Sequence, residues 1–561
     1  MGITFTQSLA ESYQQVPDQP AVHLLFSRDS DRTLSYAALL HGAAGVAAAL
    51  SQAGIQPGEV VVLILQHGEG LVYGFWGAVL HGAVPAIMPF LTEKLSPEHY
   101  RKSLRALIEI SAPAAIVTYA AFLDEVQAAL EADSSVRAVL VADEISPANT
   151  VDLGRLSGMA CQPEDIVLLQ HSSGTTGLQK GVALSHRAVF AQLESYRKAL
   201  HLHDGDVIVS WLPLYHDMGL IAGFILPVLL RVPLVLMSPF DWVRAPYRLM
   251  QAVTRYRGTL TWLPNFAYNF CAQKIRDRDL EEVDLSSWRA VINCSEPMYY
   301  DSHAQFQARF APYGLQPGAL ATCYAMAENV FAVTQGGIDT PVTVDRISQS
   351  ALSREHQARP AAAGEAAIPM LSAGKPIEGV QVRVLDDARR ELLERQVGEI
   401  ALRSPFLLSG YFHRPDLTEQ AFHDGWYLTG DLGYLAQDEV YITGRKKDLI
   451  IVGGKNVYPQ DIEALVNEVP GVYPGRVSVF GVLNEDSGTE EVVVVAETET
   501  AEAQLRQALA DRIRLAVNKG TDIVLRYVEV VERGWLLKTS SGKISRPANR
   551  EKYLSNRELV R

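Results

Sequence analysis

Repeated alternation between helix-period and strand-like apolar segments most constrains the fold of this chain. Apolar residues recur at helical spacing across 39–50, and Gly54, Pro57 and Gly58 then lead into the continuous run Val60-Val61-Val62-Leu63-Ile64-Leu65. The pattern returns at 114–117, 138–141 and 207–210, each run set apart by a helix-like stretch. Runs that stay apolar at every position suit strands buried on both faces, so layered α/β lobes with largely parallel sheets are expected. After about Leu371 the texture changes to short alternating strands with turns, as in 380–384 and 398–402, which predicts a small barrel-like lobe. A new α/β pattern starts beyond the glycine-marked, charged segment Gly444-Arg445-Lys446-Lys447-Asp448, with strands expected at 476–482 and 492–495. We therefore place a boundary near 444, dividing 1–443 from 444–561.

With 561 residues the chain exceeds one compact core, and about 150 residues per domain predicts several lobes. A net charge of −14 argues against a nucleic-acid surface, so anionic ligands must be met by local lysines and arginines. The four cysteines form no C-x-x-C pair, which gives no sign of a zinc site or disulfide framework and fits the cytoplasm. The apolar stretch 219–237 is interrupted by Pro227, Arg231 and Pro233, so it reads as buried elements of a globular fold and no stable membrane insertion is expected.

The apolar run 166–169 leads into Gln170-His171-Ser172-Ser173-Gly174-Thr175-Thr176-Gly177-Leu178-Gln179-Lys180-Gly181. Glycines let backbone approach an anion, hydroxyls and N–H groups donate to it, and one ammonium adds charge. This is chemistry for a polyphosphate. The residue after Lys180 is Gly181 where a P-loop needs Ser or Thr, which argues against a P-loop ATPase.

This segment resembles the phosphate loop of adenylate-forming enzymes: acyl-CoA synthetases, peptide-synthetase adenylation domains and luciferases. Further matches follow in family order over roughly 10–550. Tyr215-His216-Asp217-Met218-Gly219-Leu220 and Pro264-Asn265-Phe266-Ala267-Tyr268 are most similar to the fatty acyl-AMP ligase branch. Asn293-Cys294-Ser295-Glu296-Pro297 occupies the place of the adenine-side loop, with Cys-Ser as a departure. Tyr324-Ala325-Met326-Ala327-Glu328 resembles the Tyr-Gly-x-Thr-Glu signature, Trp426-Tyr427-Leu428-Thr429-Gly430-Asp431 the ribose-binding turn, and Lys538-Thr539-Ser540-Ser541-Gly542-Lys543 the C-terminal lysine loop, with Leu537 where proline is usual.

The resemblance implies two α/β lobes and a small β-barrel lobe in an N-terminal adenylation domain, followed by a small mobile α/β C-terminal domain. It implies that ATP and Mg²⁺ are used. Ser172, Ser173, Gly174, Thr175, Thr176, Gly177 and Lys180 would meet the phosphates; Ser295, Glu296, Pro297, Tyr324, Ala325 and Met326 would meet the adenine; Asp431 would meet the ribose, and Arg445 the ribose or a phosphate. Glu328 would hold Mg²⁺, His216 would lie against the carboxylate, and Lys543 would bridge the attacking carboxylate and the α-phosphate. Asn265, Phe266 and Tyr268 would line an acyl tunnel, where each buried CH₂ gains about 0.8 kcal/mol. Lys447 falls at the hinge. Asp217 reads as structural, and Cys294 has no matched base, so it is no nucleophile.

The interval from Glu328 to Gly374-Lys375-Pro376 is long, and 342–370 resembles the insertion that, in fatty acyl-AMP ligases, hinders the swing admitting CoA. The expected reaction is activation of a fatty acid to its acyl-adenylate, then transfer to the phosphopantetheine of an acyl carrier protein, standalone or a carrier domain of a polyketide or peptide synthase. Such enzymes serve lipid or secondary-metabolite synthesis. The alternatives are an acyl-CoA synthetase and a catalytically silent adenylate-binding protein; the latter predicts loss of Lys543, Glu328 or Asp431, all of which are present.

Overall fold

The computed structural model describes residues 3–90, 97–131, 133–172, 180–452, 455–484, 489–521, 523, 525–539 and 542–558. The helix predicted over 39–50 is Tyr36–Gln52, started by Ser35, whose hydroxyl accepts from Ala38 N–H. Its small residues allow close packing on Glu69–His81: a Cβ at Gly77 would lie 2.7 Å from Ala43 O.

The apolar runs form two sheets. In the larger, strands run in the order Leu320–Cys323, Ala290–Cys294, Leu260–Leu263, Ile208–Ser210, Leu234–Met237, Pro20–Leu25 and Arg32–Ser35. All neighbours are parallel except the last pair. The smaller sheet orders Val84–Ile87, Val60–Ile64, Ala115–Thr118 and Ala138–Val141, all parallel. One continuous apolar core joins both lobes. The stretch 219–237 is buried as the helical turns Met218–Ile225 and Leu226–Leu230 and the strand Leu234–Met237. Among the described residues no helix is long and apolar enough to cross a membrane.

Beyond Leu371 the chain forms a five-stranded antiparallel sheet of Gln381–Leu385, Gly398–Arg403, Trp426–Ala436, Phe422–His423 and Glu439–Arg445. The turn expected at Gly430-Asp431 lies inside the 11-residue strand Trp426–Ala436 instead. Gly430 takes a positive φ of 70° there, and the register shifts between Leu432 and Gly433. Glycine marks bulges as well as turns, which explains the misreading.

A separate core follows. Val477–Asn484 is antiparallel to Thr489–Thr498, which is parallel to Tyr527–Glu532. Alternate residues of the middle strand serve two faces. Val492, Val494 and Ala496 pack with Ile462, Val466, Leu509 and Ile513, while Val493 and Val495 pack with Phe480, Leu536 and Tyr553.

The long interval after Glu328 is a folded hairpin, since Val344–Ser348 pairs antiparallel with Ala367–Leu371 and the helix Gln349–Glu355 lies between. Arg395 Nη1 bonds Asp345 Oδ2 at 2.9 Å and Ala358 O at 2.7 Å, and Tyr434 donates to the same Asp345 oxygen at 3.0 Å. Ile347, Leu352 and Ala358 share an apolar cluster with Tyr434, Tyr441 and Tyr458.

Candidate active site

Most of the singled-out residues that the structure describes lie where parallel strands end, the place α/β sheets reserve for ligands. His216 follows Ile208–Ser210 and precedes Met218–Ile225. Gly219 is required there, because a Cβ would come within 2.3 Å of Pro213 O. His216 Nδ1 is 2.6 Å from Asp217 Oδ1. Burial acts to raise the Asp217 carboxyl, but the charges of His216 and Lys543, with hydrogen bonds from His216 and Met218 N–H, bring it below its usual range. The aspartate read as structural is therefore the partner of the histidine.

Ser295, at the end of Ala290–Cys294, has a φ of 67°. Its carbonyl accepts from Lys543 Nζ at 2.7 Å, across 248 residues. Next to it, Glu296 Oε2 accepts from Phe266 N–H at 3.0 Å. Pro297 follows on the same loop, and Tyr299 beyond it pairs with Met370 of the hairpin and donates to Gln460 O at 3.2 Å.

Of the three expected tunnel residues only Phe266 reaches accessible space, at 46 % exposure. Its ring meets the stacked pair Trp211 and Trp242 edge-on. Tyr268 is fully buried and donates to Val291 O at 2.8 Å, and Asn265 bonds Ser302, Asn293 and Tyr299. Both are joints of the core. Cys294 is buried as well.

Tyr324 ends the strand Leu320–Cys323, and its hydroxyl donates to Asp431 Oδ2 at 2.6 Å. Arg445, paired with Asp431 across the sheet, reaches Oδ1 at 3.2 Å. Ala325 bridges to Ala332, and Met326 N–H bonds Phe331 O, so this backbone is fixed. Glu328 follows, and burial pushes its carboxyl above the usual range. Two residues on, Val330 has φ 63° and ψ −58°, a γ-turn closed by Phe331 N–H to Asn329 O at 2.7 Å. That conformation is rare and strained for a β-branched residue.

Lys180 begins the strand Lys180–Ser185, with its ammonium 4.6 Å from the centre of the Tyr411 ring. Tyr411 also donates to Glu328 Oε1 at 2.9 Å and contacts Tyr427 hydroxyl at 3.0 Å. Tyr411 thus joins a cation and a carboxylate that sequence reading treated separately; only a Gly-Tyr pair after an apolar run marks it locally. Ser173, Gly174, Thr175, Thr176 and Gly177 lie outside the described residues, as does the Ser172 side chain. Lys447 sits in the single turn Lys446–Asp448 that leaves the β lobe.

A half-buried His–Asp pair, an ammonium bonded to a backbone carbonyl, and a half-buried carboxylate near a Tyr–Asp–Arg group suit chemistry between two anions. The family model for AMP-binding enzymes matches residues 9–412. Long-chain-fatty-acid–AMP ligase FadD30 of Mycobacterium tuberculosis, so described with the qualifier "probable", is 31 % identical over 87 % of this chain and 87 % of its own. Medium-chain-fatty-acid–[acyl-carrier-protein] ligase JamA of Moorena producens is 30 % identical over 93 % of this chain and 90 % of its own. A solved structure from work on the fatty acyl-adenylate ligases of E. coli and L. pneumophila superposes with a TM-score of 0.90 at 27 % identity, covering 99 % of this chain and 98 % of that one. The chain belongs to the AMP-binding enzymes and, within them, to the fatty acid–AMP ligases.

Proposed function

We propose that this enzyme joins a fatty acid to the α-phosphate of ATP, releases pyrophosphate, and passes the acyl group to the phosphopantetheine thiol of a separate carrier protein. The observation that carries this reading is Lys543, whose ammonium reaches Ser295 O beside the His216–Asp217 pair. From there it can bridge carboxylate and α-phosphate, offsetting their repulsion and stabilising the charge that grows as the new bond forms. His216, held by Asp217, faces the carboxylate. Tyr324 offers its ring to the adenine, and Asp431 exchanges its present partners for ribose hydroxyls, with Arg445 beside it. Ser295, Glu296, Pro297, Ala325 and Met326 supply the surrounding wall, and Lys180 with the adjoining glycine loop meets the phosphates.

Glu328 is the residue that would hold Mg²⁺. Among the described residues no cluster of three or more metal-binding side chains exists. One carboxylate together with substrate phosphates is the usual Mg²⁺ arrangement, so the chain fits the ion. When bound, the ion neutralises phosphate charge. Phe266, backed by the buried Trp211–Trp242 stack, gives the acyl group an apolar surface.

The carrier protein, in preference to CoA, is supported by the hairpin at 344–371. Gln349 Nε2 donates to Gly520 O at 3.2 Å, and His356 Nδ1 lies 2.7 Å from Asn456 Nδ2. The hairpin therefore braces 455–520 against a turn at the segment 444–447, which we take as the pivot between 1–443 and 444–561. The test is mass spectrometry of products from ATP, Mg²⁺, C8 to C18 acids, CoA and a carrier protein. Acyl-adenylate and acyl-carrier without acyl-CoA support the reading; abundant acyl-CoA overturns it in favour of an acyl-CoA synthetase.

A further inference from the structure

The described residues around Lys543, 537–539 and 542–545, are tied to one another and to the helix below. Among them, Thr539 N–H bonds Lys543 O at 2.7 Å, Gly542 N–H bonds Thr539 O at 2.9 Å, and Lys543 N–H bonds Thr539 Oγ1 at 3.2 Å. A bridge joins Lys538 and Ile544. The neck is closed by the side chain of Asn549, which is fully buried in the first turns of the helix Arg546–Glu558. Its Oδ1 accepts from Leu537 N–H at 2.8 Å, while Nδ2 donates to Leu537 O at 2.9 Å and to Ser545 O at 2.8 Å. One amide thus bonds both ends of the loop, and both its amino hydrogens are used. The opposite amide orientation would set oxygen against two carbonyls, so only one orientation satisfies the site.

The neighbouring residue Leu536 donates its N–H to Glu497 Oε1 at 2.7 Å, a second buried anchor on the strand Thr489–Thr498. The bond from Leu537 N–H exists because this position is not proline, which would have no donor. Leu537 is itself 43 % exposed, so its side chain is not what holds the loop. Buried, fully satisfied amide bonds are costly to break, since each freed group stays without water.

We propose that Asn549 is a positioning residue for the adenylation step: by clamping Leu537 and Ser545 it aims the Lys543 ammonium at the reacting carboxylate and phosphate. This rests on the reading of Lys543 given above. A loop loosened at its neck would let the ammonium wander by about an ångström, and misplacement of that size costs about 100-fold in rate.

The test compares Asn549→Ala and Lys543→Ala in the full-length enzyme. We expect Asn549→Ala to lower kcat for pyrophosphate release about 10- to 100-fold, with KM for ATP moved less than about threefold. Binding of the sulfamoyl analogue of the acyl-adenylate, measured by calorimetry, stays within about threefold, because the assembled ligand needs no attack geometry. Amide hydrogen exchange at Thr539, Gly542 and Lys543 accelerates, a readout independent of turnover. If Asn549→Ala melts early, Asn549→Ser, which removes the clamp across Leu537 and Ser545 yet buries no charge and can still bond one of them, is held to the same criteria. Normal adenylation or unchanged exchange in the Asn549 variant, with Lys543→Ala inactive, overturns the positioning role alone. Normal adenylation in Lys543→Ala overturns the reading of Lys543 and this inference with it.

Discussion

The ammonium of Lys543 lies 2.7 Å from the carbonyl oxygen of Ser295, a residue held at φ 67°. A lysine bonded to a backbone carbonyl can leave it for a more anionic partner at small cost, since a neutral acceptor is weaker than a carboxylate or phosphate. Lys543→Ala should therefore lose about 100-fold or more in pyrophosphate release while melting like the native enzyme. Near-native release would remove Lys543 from the chemistry.

Tyr324 donates to Asp431 at 2.6 Å inside the core, and hydrogen bonds to charged groups are worth about 1.5–3 kcal/mol. Tyr324→Phe keeps the ring and loses this bond. The expected result is a lower melting temperature with KM for ATP within about threefold, because the nucleotide supplies Asp431 with new donors. A large KM rise with unchanged melting would mean that the hydroxyl, not the ring, serves the nucleotide.

Stability should fall on mild acidification. Burial lowers His171, His186 and His303 to about 4 from 6.5, so each stays neutral in the fold but charges in the unfolded chain. Their contribution is complete above about pH 6.5 and is lost as pH drops towards 4, at up to about 1.4 kcal/mol per histidine per pH unit. His186 Nδ1 accepts from Phe5 N–H and cannot do so once protonated. Asp461 works in the opposite sense. Burial and Glu463 raise it to about 7, so its neutral form favours the fold at low pH and its ionisation costs stability as pH rises towards 7. Melting temperatures at pH 7.5 and 5.5 should show a net decrease on acidification, steeper in Asp461→Asn. A flat profile would contradict the burial of these histidines.

Gln349→Ala with His356→Ala takes away two polar contacts between the hairpin and 455–520 without opening the cluster around Leu352. The pair should raise acyl-CoA formation about threefold or more, with adenylation unchanged, since two exposed hydrogen bonds contribute about 1 kcal/mol together. Trimming 342–370 should raise it further, although it uncovers Tyr434 and Tyr441. A folded double variant and a folded deletion that both ignore CoA would separate the hairpin from acceptor choice.

Motifs made of adjacent residues were legible in the sequence because their chemistry is local. The string around His216 marks an imidazole at a strand-to-helix edge, although Asp217 beside it reads as structural until the 2.6 Å contact is seen, and the runs at 60–65 and 114–117 announce the strands Val60–Ile64 and Ala115–Thr118. Tyr411 and Asn549 were not legible. Tyr411 meets Glu328 across 83 residues, and Asn549 acts by closing a loop, which leaves no periodic trace. Tyr268 was ambiguous for a different reason: an aromatic that lines a tunnel and one that bonds Val291 in the core have the same spacing, and only depth separates them. The hairpin at 344–371 was legible as extra length but not as a fold, because Arg395 and Tyr434, which fasten Asp345, lie far along the chain.

The γ-turn at Val330 ties durability to chemistry at one point. Such a conformation stores about 1–3 kcal/mol, and here it is fully buried, so it relaxes only by moving backbone that includes Glu328. Glu328 O accepts from Leu408 N–H, on the segment that delivers Tyr411 to the same carboxylate. A heat-hardened descendant of this enzyme that unwinds the turn would draw its added robustness from the same reservoir that aims Glu328, and selection for endurance and selection for turnover would compete over a single peptide.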